Sequence, residues 1–314
     1  MSGNERLRPG VCILGTSAGS GKTMIGRSLS RLASNRGYSV HPYKAVSLVA
    51  RPVASHSDEI VDASLAMLAA AARVPATSRL PICSFTAQPS GDGRFRLAPA
   101  GPRNAGTQQS VDALAEDVHL DVYQQSSDQL RWDLIDDEDC DRICARIRFH
   151  IDLIRADEHF VVAEGSGNPT DSFGRDINNR LVFNVVSSPI ILVTNLAEGG
   201  GIASAVGTLA LLDDATRNRV CGVIVNGQYP GSSDEKVAAM SERATGQPCL
   251  AVVKQRPSNR AYEDLLAGEI ENNTQKLAED LAYLWAPLEA AIQPPVQPQP
   301  VGAGTSSMET RVSA

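Results

Sequence analysis

The chain has 314 residues, 42% of them hydrophobic and 21% charged, with a net charge of −7. That is an ordinary globular composition, long enough for one large domain or two small ones, and its acidic balance argues against nucleic-acid binding by charge, which needs a basic footprint. No apolar run reaches the length of a membrane span, and the N-terminal MSGNERLRPG lacks the apolar core of a signal peptide, so a cytoplasmic protein with no membrane partner is expected.

Between residues 11 and 253, short β-rich apolar runs alternate with amphipathic helical stretches. This is the pattern of an α/β fold, a doubly wound, mostly parallel sheet with helices on both faces. The runs at 11–14, 39–43, 160–163, 190–194, 220–225 and 250–253 are the expected strands. Residues 22–36 place Ile25, Leu29 and Leu32 at helical spacing and end at Gly37, a good terminator. A second, Ala-rich helix is expected over 58–73, capped by Ser57 and stopped before Pro75.

Residues 81–137 are rich in Gly, Pro, Gln, Ser and Asp and keep no sustained period. They read as an insertion carrying a few short elements, a candidate substrate lid. A helix over 140–155 then leads into the strand at 160. Residues 293–314 are Pro-rich and cannot bury a core, which leaves 1–292 as a single domain with a disordered tail. Of the six cysteines, Cys12, Cys221 and Cys249 lie in or beside apolar runs and read as small hydrophobes. Cys140 and Cys144 are one helical turn apart, but no further Cys or close His completes a metal set.

The strand at 11–14 runs into Gly15-Thr16-Ser17-Ala18-Gly19-Ser20-Gly21-Lys22-Thr23, and a helix follows at once. Glycines let backbone N–H groups turn onto phosphate oxygens, and the helix N-terminus adds partial positive charge. Lys22 is placed to reach the β- and γ-phosphates of ATP, and the Thr23 hydroxyl to ligate Mg²⁺. Glu164 ends an apolar strand at the carboxyl edge of the sheet, where a carboxylate serves Mg²⁺ or substrate. Asp58 and Glu59 are further metal-side candidates. Lys44 follows the second strand as a candidate for a substrate carboxylate or the γ-phosphate. Asn226, after a late strand, offers an acceptor and a donor to adenine. The five histidines form no triad or ligand spacing; His56 alone is near the expected substrate edge.

The loop is one residue longer than G-x-x-x-x-G-K-[ST], and GTSAGSGKT resembles that of the dethiobiotin synthetase and cobyric acid synthase family. The likeness extends through HPYKAVS at Lys44, through Glu59-Ile60 with the Ala-rich helix up to Pro75, and through VVAEGSGNP, written EGAGSP in that family. It continues in Asp176-Ile177-Asn178-Asn179, in GGGIASAVGTLALL after the strand at 190–194, and in Gly222-Val223-Ile224-Val225-Asn226. The differences are local. Asn195-Leu196-Ala197-Glu198-Gly199-Gly200 stands where cobyric acid synthase has Asp-x-Asp-Arg-Gly-Gly, and the segment written NPVLLKP there has no lysine at residues 80–84. Both point away from a corrin substrate. No G-x-C-x-G nucleophile elbow occurs, so the chain is not expected to release ammonia from glutamine by that route.

The resemblance implies an ATP- and Mg²⁺-dependent ligase that converts a small-molecule carboxylate to an acyl phosphate for attack by ammonia or an amine. Ammonia would be free or supplied by a separate glutaminase, and a homodimer is expected. In that reading Lys22, Lys44 and Glu164 are the catalytic residues. A dethiobiotin-synthetase-like reaction is the alternative, in which a diamine captures CO₂ and closes to a cyclic urea. A switch ATPase of the partitioning type is a third reading, though those loops carry a lysine where this chain has Ser17.

Overall fold

The computed structural model describes residues 10–48, 52–54, 60–76, 81–89, 95–99, 120–122, 138, 141, 144–145, 160–170, 179, 188–197, 199–228, 231–255 and 267–292. Eleven strands lie among them: β1 (Gly10–Gly15), β2 (Val40–Leu48), β3 (Pro52–Ala54), β4 (Ile60–Asp62), β5 (Pro81–Pro89), β6 (Phe95–Pro99), β7 (Leu120–Val122), β8 (Phe160–Glu164), β9 (Ile190–Asn195), β10 (Val220–Gln228) and β11 (Cys249–Lys254). The helices are α1 (Lys22–Asn35), α2 (Ala63–Ala72), α3 (Gly201–Leu211), α4 (Asp214–Arg217), α5 (Asp234–Thr245), α6 (Ala267–Asp280) and α7 (Trp285–Ile292).

Nine strands form one sheet in the order β11-β10-β9-β1-β8-β2-β5-β6-β7. From β11 to β5 all neighbours are parallel, while β6 and β7 add an antiparallel edge. Parallel strands covered on both faces need apolar side chains at every position rather than at alternate ones. In β1, Val11, Cys12, Ile13 and Leu14 are all fully buried. On α1, Ile25, Leu29 and Leu32 face that core as the period predicted. The fold is the expected doubly wound α/β fold. Order reverses around β1, which has β8 on one side and β9 on the other, so ligands belong at its carboxyl end.

Residues 81–89, 95–99 and 120–122, inside the stretch read as an insertion, are β5, β6 and β7 and extend the main sheet past β2. The second helix starts later than expected. Ile60 and Val61, with their neighbour Asp62, pair with β3 in a small antiparallel ribbon, as β-branched residues favour. Asp62 rather than Ser57 is the N-cap of α2, its carboxylate accepting from the Ser64 N–H at 2.9 Å. Cys144 and Ala145 are helical, but most of the helix expected over 140–155, and the whole of 293–314, lie outside the described residues.

Two contacts tie the helical layer together. Arg31 is fully buried on α1, donates to the Ala70 and Ala71 carbonyls at the end of α2, and pairs with Glu271 on α6 through both guanidinium nitrogens at 2.5 and 2.6 Å. That hydrogen bond holds the Glu271 carboxyl below its ordinary range. Just past the end of α1, the rings of Tyr38, Phe160 and Trp285 meet at 5.1 to 5.9 Å, with the Arg36 guanidinium 4.4 Å over the indole.

Burial pushes the Cys12 thiol up to about 12 and that of Cys221 up to about 11, against an opposing pull on Cys12 from the nearby Arg219. Thiolate is the reactive form, so both should resist alkylation in the native protein near about pH 8 and react once it is unfolded. Native-state labelling of either residue, read by peptide mass mapping, would contradict their assignment as inert core groups.

Candidate functional site

Everything converges at the carboxyl end of β1. The chain leaves β1 at Gly15 with the Thr16 N–H still donating to the Val193 carbonyl of β9 at 3.0 Å, so the loop starts in register with the sheet. It enters α1 at Gly21, which has φ +100°. A side chain there would suffer twice, because a Cβ would also come within 2.3 Å of Asn226 Nδ2. Gly15 is excluded from bearing a side chain by the loop's own lysine: a Cβ would lie 2.7 Å from Lys22 Nζ and 2.2 Å from Ser20 Oγ. Lys22 thus folds back across the start of the loop and is only 5% exposed. Its ammonium donates to the Ser17 carbonyl at 2.7 Å and to the Gly167 carbonyl at 3.1 Å.

The outward-facing carbonyls of the loop are held by asparagines from three other segments. Asn168, after β8, donates to Thr16 O at 3.0 Å; Asn195, at the end of β9, to Gly19 O at 3.2 Å; Asn226, in β10, to Ser20 O at 3.1 Å. The orientation of two of them is fixed from both sides. Asn168 Oδ1 accepts from Thr170, and Asn195 Oδ1 from the Ala197 N–H. A planar trans peptide opposes its N–H to its C=O, so holding the Thr16 and Ser20 carbonyls suits the Ser17 and Gly21 N–H groups to phosphate oxygens, while the Ser20 N–H donates to Ser17 O at 3.4 Å. Asn226 was expected to meet adenine; its amide nitrogen is seen to brace the loop. Asn168 and Asn195 were not among the expected site residues, although an amide placed just past strand ends at this edge was the available signal. Asn179 is a further one: 1% exposed, it accepts from Ser166 N at 3.0 Å and donates to Ser166 O at 2.6 Å, pinning the loop after Glu164.

Glu164 and Lys44 are brought together by register. β2 and β8 pair with Tyr43 opposite Ala163; Lys44 lies within β2 rather than after it, opposite Pro81 of β5, and so stands next to Glu164 at the end of β8. Lys44 Nζ lies 3.8 Å from Glu164 Oε1. The same oxygen accepts from the Thr23 hydroxyl at 2.8 Å, while Oε2 is buried without a hydrogen-bond partner. Leaving a buried carboxylate oxygen unsatisfied costs free energy unless a ligand meets it. A hard divalent cation bound by carboxylate and hydroxyl oxygens fits this pair, which makes Thr23 and Glu164 the residues suited to Mg²⁺. Ser20 Oγ, within the loop, is likewise buried and unpartnered. Asp58, Glu59 and His56 lie outside the described residues. Lys44 also donates to Ser64 Oγ at 3.1 Å, and the Ser64 hydroxyl donates to Asp62, neither of which sequence reasoning had singled out.

Among the described residues no group of three or more His, Cys, Asp or Glu side chains could hold a metal ion by itself, and no helix is long and apolar enough to cross a membrane. A Mg²⁺ site built from Thr23 and Glu164 would therefore depend on nucleotide oxygens to complete it.

Comparison with known proteins shows what the chain is similar to. A family model described as an AAA domain matches residues 124–261. The chain is 28% identical over 274 residues to the cobyric acid synthase of Herpetosiphon aurantiacus, covering 85% of this chain and 50% of that protein. It is 27% identical over 253 residues to the probable cobyric acid synthase of Methanothermobacter thermautotrophicus, covering 77% and 44%. The chain thus spans about half the length of the curated relatives it matches. Among solved structures, a ParA family ATPase from Chlorobium tepidum aligns over 91% of this chain and 99% of its own at 10% identity and a TM-score of 0.45. Over most of its length the chain is thus similar to cobyric acid synthases.

Proposed function

From that kinship we propose that the chain is an ATP- and Mg²⁺-dependent ligase that activates a small-molecule carboxylate for C–N bond formation. The observation that supports it most is the convergence of Thr23, Glu164 and Lys44 beside Lys22. A carboxylate oxygen is a poor leaving group. In the proposed reaction a substrate carboxylate oxygen attacks the γ-phosphorus of ATP, ADP leaves, and an acyl phosphate results. The nitrogen lone pair of ammonia or an amine then attacks the carbonyl carbon, inorganic phosphate departs with the bonding electrons, and the nitrogen loses a proton to give the amide.

The residues have distinct tasks in this scheme. Lys22 and the loop N–H groups bind the β- and γ-phosphates, and Lys44 neutralises charge that spreads over the transferring phosphoryl oxygens. Thr23 and Glu164 would hold Mg²⁺, which supplies Lewis-acid stabilisation of phosphate charge when bound. Asn168, Asn195 and Asn226 keep the loop in its binding conformation without touching the reacting atoms.

The test is ADP release by the purified chain across carboxylates and diamines, each with and without ammonium or bicarbonate. Release that needs both a carboxylate and ammonium is the expected result. Release that needs a diamine and bicarbonate would replace this reading by the dethiobiotin-synthetase-like one, and hydrolysis indifferent to every addition would sink both. Sedimentation of the same sample tests the homodimer that the family resemblance implies, and a glutaminase supplied in trans tests whether a separate enzyme feeds ammonia.

A further inference from the structure

Lys44 is held by more than its ion pair. Its ammonium donates to Ser64 Oγ at 3.1 Å, and the single hydroxyl proton of Ser64 is given to Asp62 Oδ1. Because that proton is committed to a carboxylate, the serine oxygen faces Lys44 only as an acceptor, which suits a charged ammonium. Asp62 is 8% exposed and is itself fixed as the N-cap of α2, where the same oxygen accepts the Ser64 N–H at 2.9 Å. The helix start, the serine and the lysine form one rigid chain. It ends 3.8 Å from Glu164 Oε1, which in turn accepts from Thr23 of the phosphate loop.

We propose that Ser64 and Asp62 are positioning residues for Lys44, aiming its ammonium at the γ-phosphoryl group of bound ATP. The inference rests on the role given to Lys44 above and adds residues that do not themselves meet the nucleotide. Lys44 is carried on the strand β2, and its long side chain would otherwise sample several rotamers; its side chain is 15% exposed. Tying one N–H to a serine that is itself tied to a buried carboxylate removes that freedom before nucleotide arrives, and pre-organised charge is what phosphoryl transfer needs.

Calorimetric titration with Mg²⁺ and β,γ-imido ATP, and separately with Mg²⁺ and ADP, reads this without a known substrate. The ratio of the two affinities reports recognition of the γ-phosphate. Ser64→Ala should lower that ratio about tenfold with ADP affinity unchanged, and Ser64→Thr, which restores a hydroxyl, should recover it. Asp62→Asn keeps the cap, since Asn caps a helix as well as Asp, but removes the charge, so it should fall between Ser64→Ala and the wild type. In a Lys44→Met background, Ser64→Ala should have no further effect. A ratio lost in Lys44→Met but intact in Ser64→Ala would overturn the inference while leaving the role of Lys44 standing. A loss of equal size with and without Lys44 would also overturn it, since Ser64 would then act on the fold alone. An Asp62→Asn protein indistinguishable from wild type would remove Asp62 from the scheme. If Lys44→Met itself leaves the ratio unchanged, the γ-phosphate role proposed for Lys44 fails, and this inference with it.

Discussion

Lys22→Ala should weaken MgATP binding and lower turnover by at least about 100-fold, or ~2.7 kcal/mol, because it deletes the charge proposed to meet the β- and γ-phosphates. The native contacts of this side chain make the experiment sharper. Its ammonium joins Ser17 of the loop to Gly167 of the segment after β8. Alanine therefore removes a brace as well as a charge. Lys22→Met keeps most of the side-chain volume over Gly15 but loses the ammonium, so the loss the two variants share measures charge and bracing together, and the difference between them measures packing over Gly15. Gly15→Ala should resemble Lys22→Ala without altering any charge, since the added Cβ would stand 2.7 Å from Nζ and 2.8 Å from Cδ and displace the lysine. Equilibrium binding and ADP release on the three variants are the measurements. A Lys22→Ala protein with normal ATPase activity would refute the phosphate-loop assignment and everything built on it.

Where the sequence carried a local signal, reading it led to the right element. A phosphate loop has to have a strand before it and a helix after it, and Gly15 through Thr23 has both. The four consecutive apolar residues at 11–14 are legible because a strand buried on both faces has no polar alternation to disguise it. The start of α2 was misread because Ser57-Asp58-Glu59 is as good a capping sequence, locally, as Asp62 with Ser64. What separates them is the ribbon pairing of Ile60 and Val61 with β3, a tertiary fact. β5 was hidden for a similar reason. Its sequence PICSFTAQP has prolines at both ends and polar residues within, and it is a strand because β2 lies beside it. Asn226 was singled out for adenine, but the bracing of the loop by Asn168, Asn195 and Asn226 was not legible, since an asparagine after a strand is also a common turn residue. Only the meeting of three distant segments on one loop reveals what they do. Asn195 shows the point well. Seen in sequence it is an acid lost relative to the family; in the fold it is a donor to Gly19 O, which an ionised acid could not be.

Glu164→Gln should lower kcat about 100-fold while changing ATP affinity much less, and Lys44→Met should lower kcat as much, with the loss of γ-phosphate recognition argued above and an added loss of substrate binding. The geometry explains both. Glu164 is only 2% exposed, yet one of its oxygens has no partner and the other is shared between the Thr23 hydroxyl and the Lys44 ammonium. A carboxylate held that way is costly in the free protein and useful only when a cation reaches it. Glutamine keeps the shape and the Thr23 contact but cannot neutralise Mg²⁺. The free Glu164→Gln protein should therefore melt at or above the wild-type temperature, whereas the rise in melting temperature on adding MgADP should shrink. That pair of opposite shifts separates a metal-side carboxylate from a structural one, whose loss would lower the melting temperature in both states. In the proposed reaction Lys44 and Glu164 face one phosphoryl group, so their effects should not multiply, and the double mutant should be little slower than the poorer single. Rapid-quench measurement of ADP formation on all four proteins decides it. Losses that multiply would mean that each residue works alone, and a wild-type kcat in Glu164→Gln would remove the carboxylate from the reaction altogether.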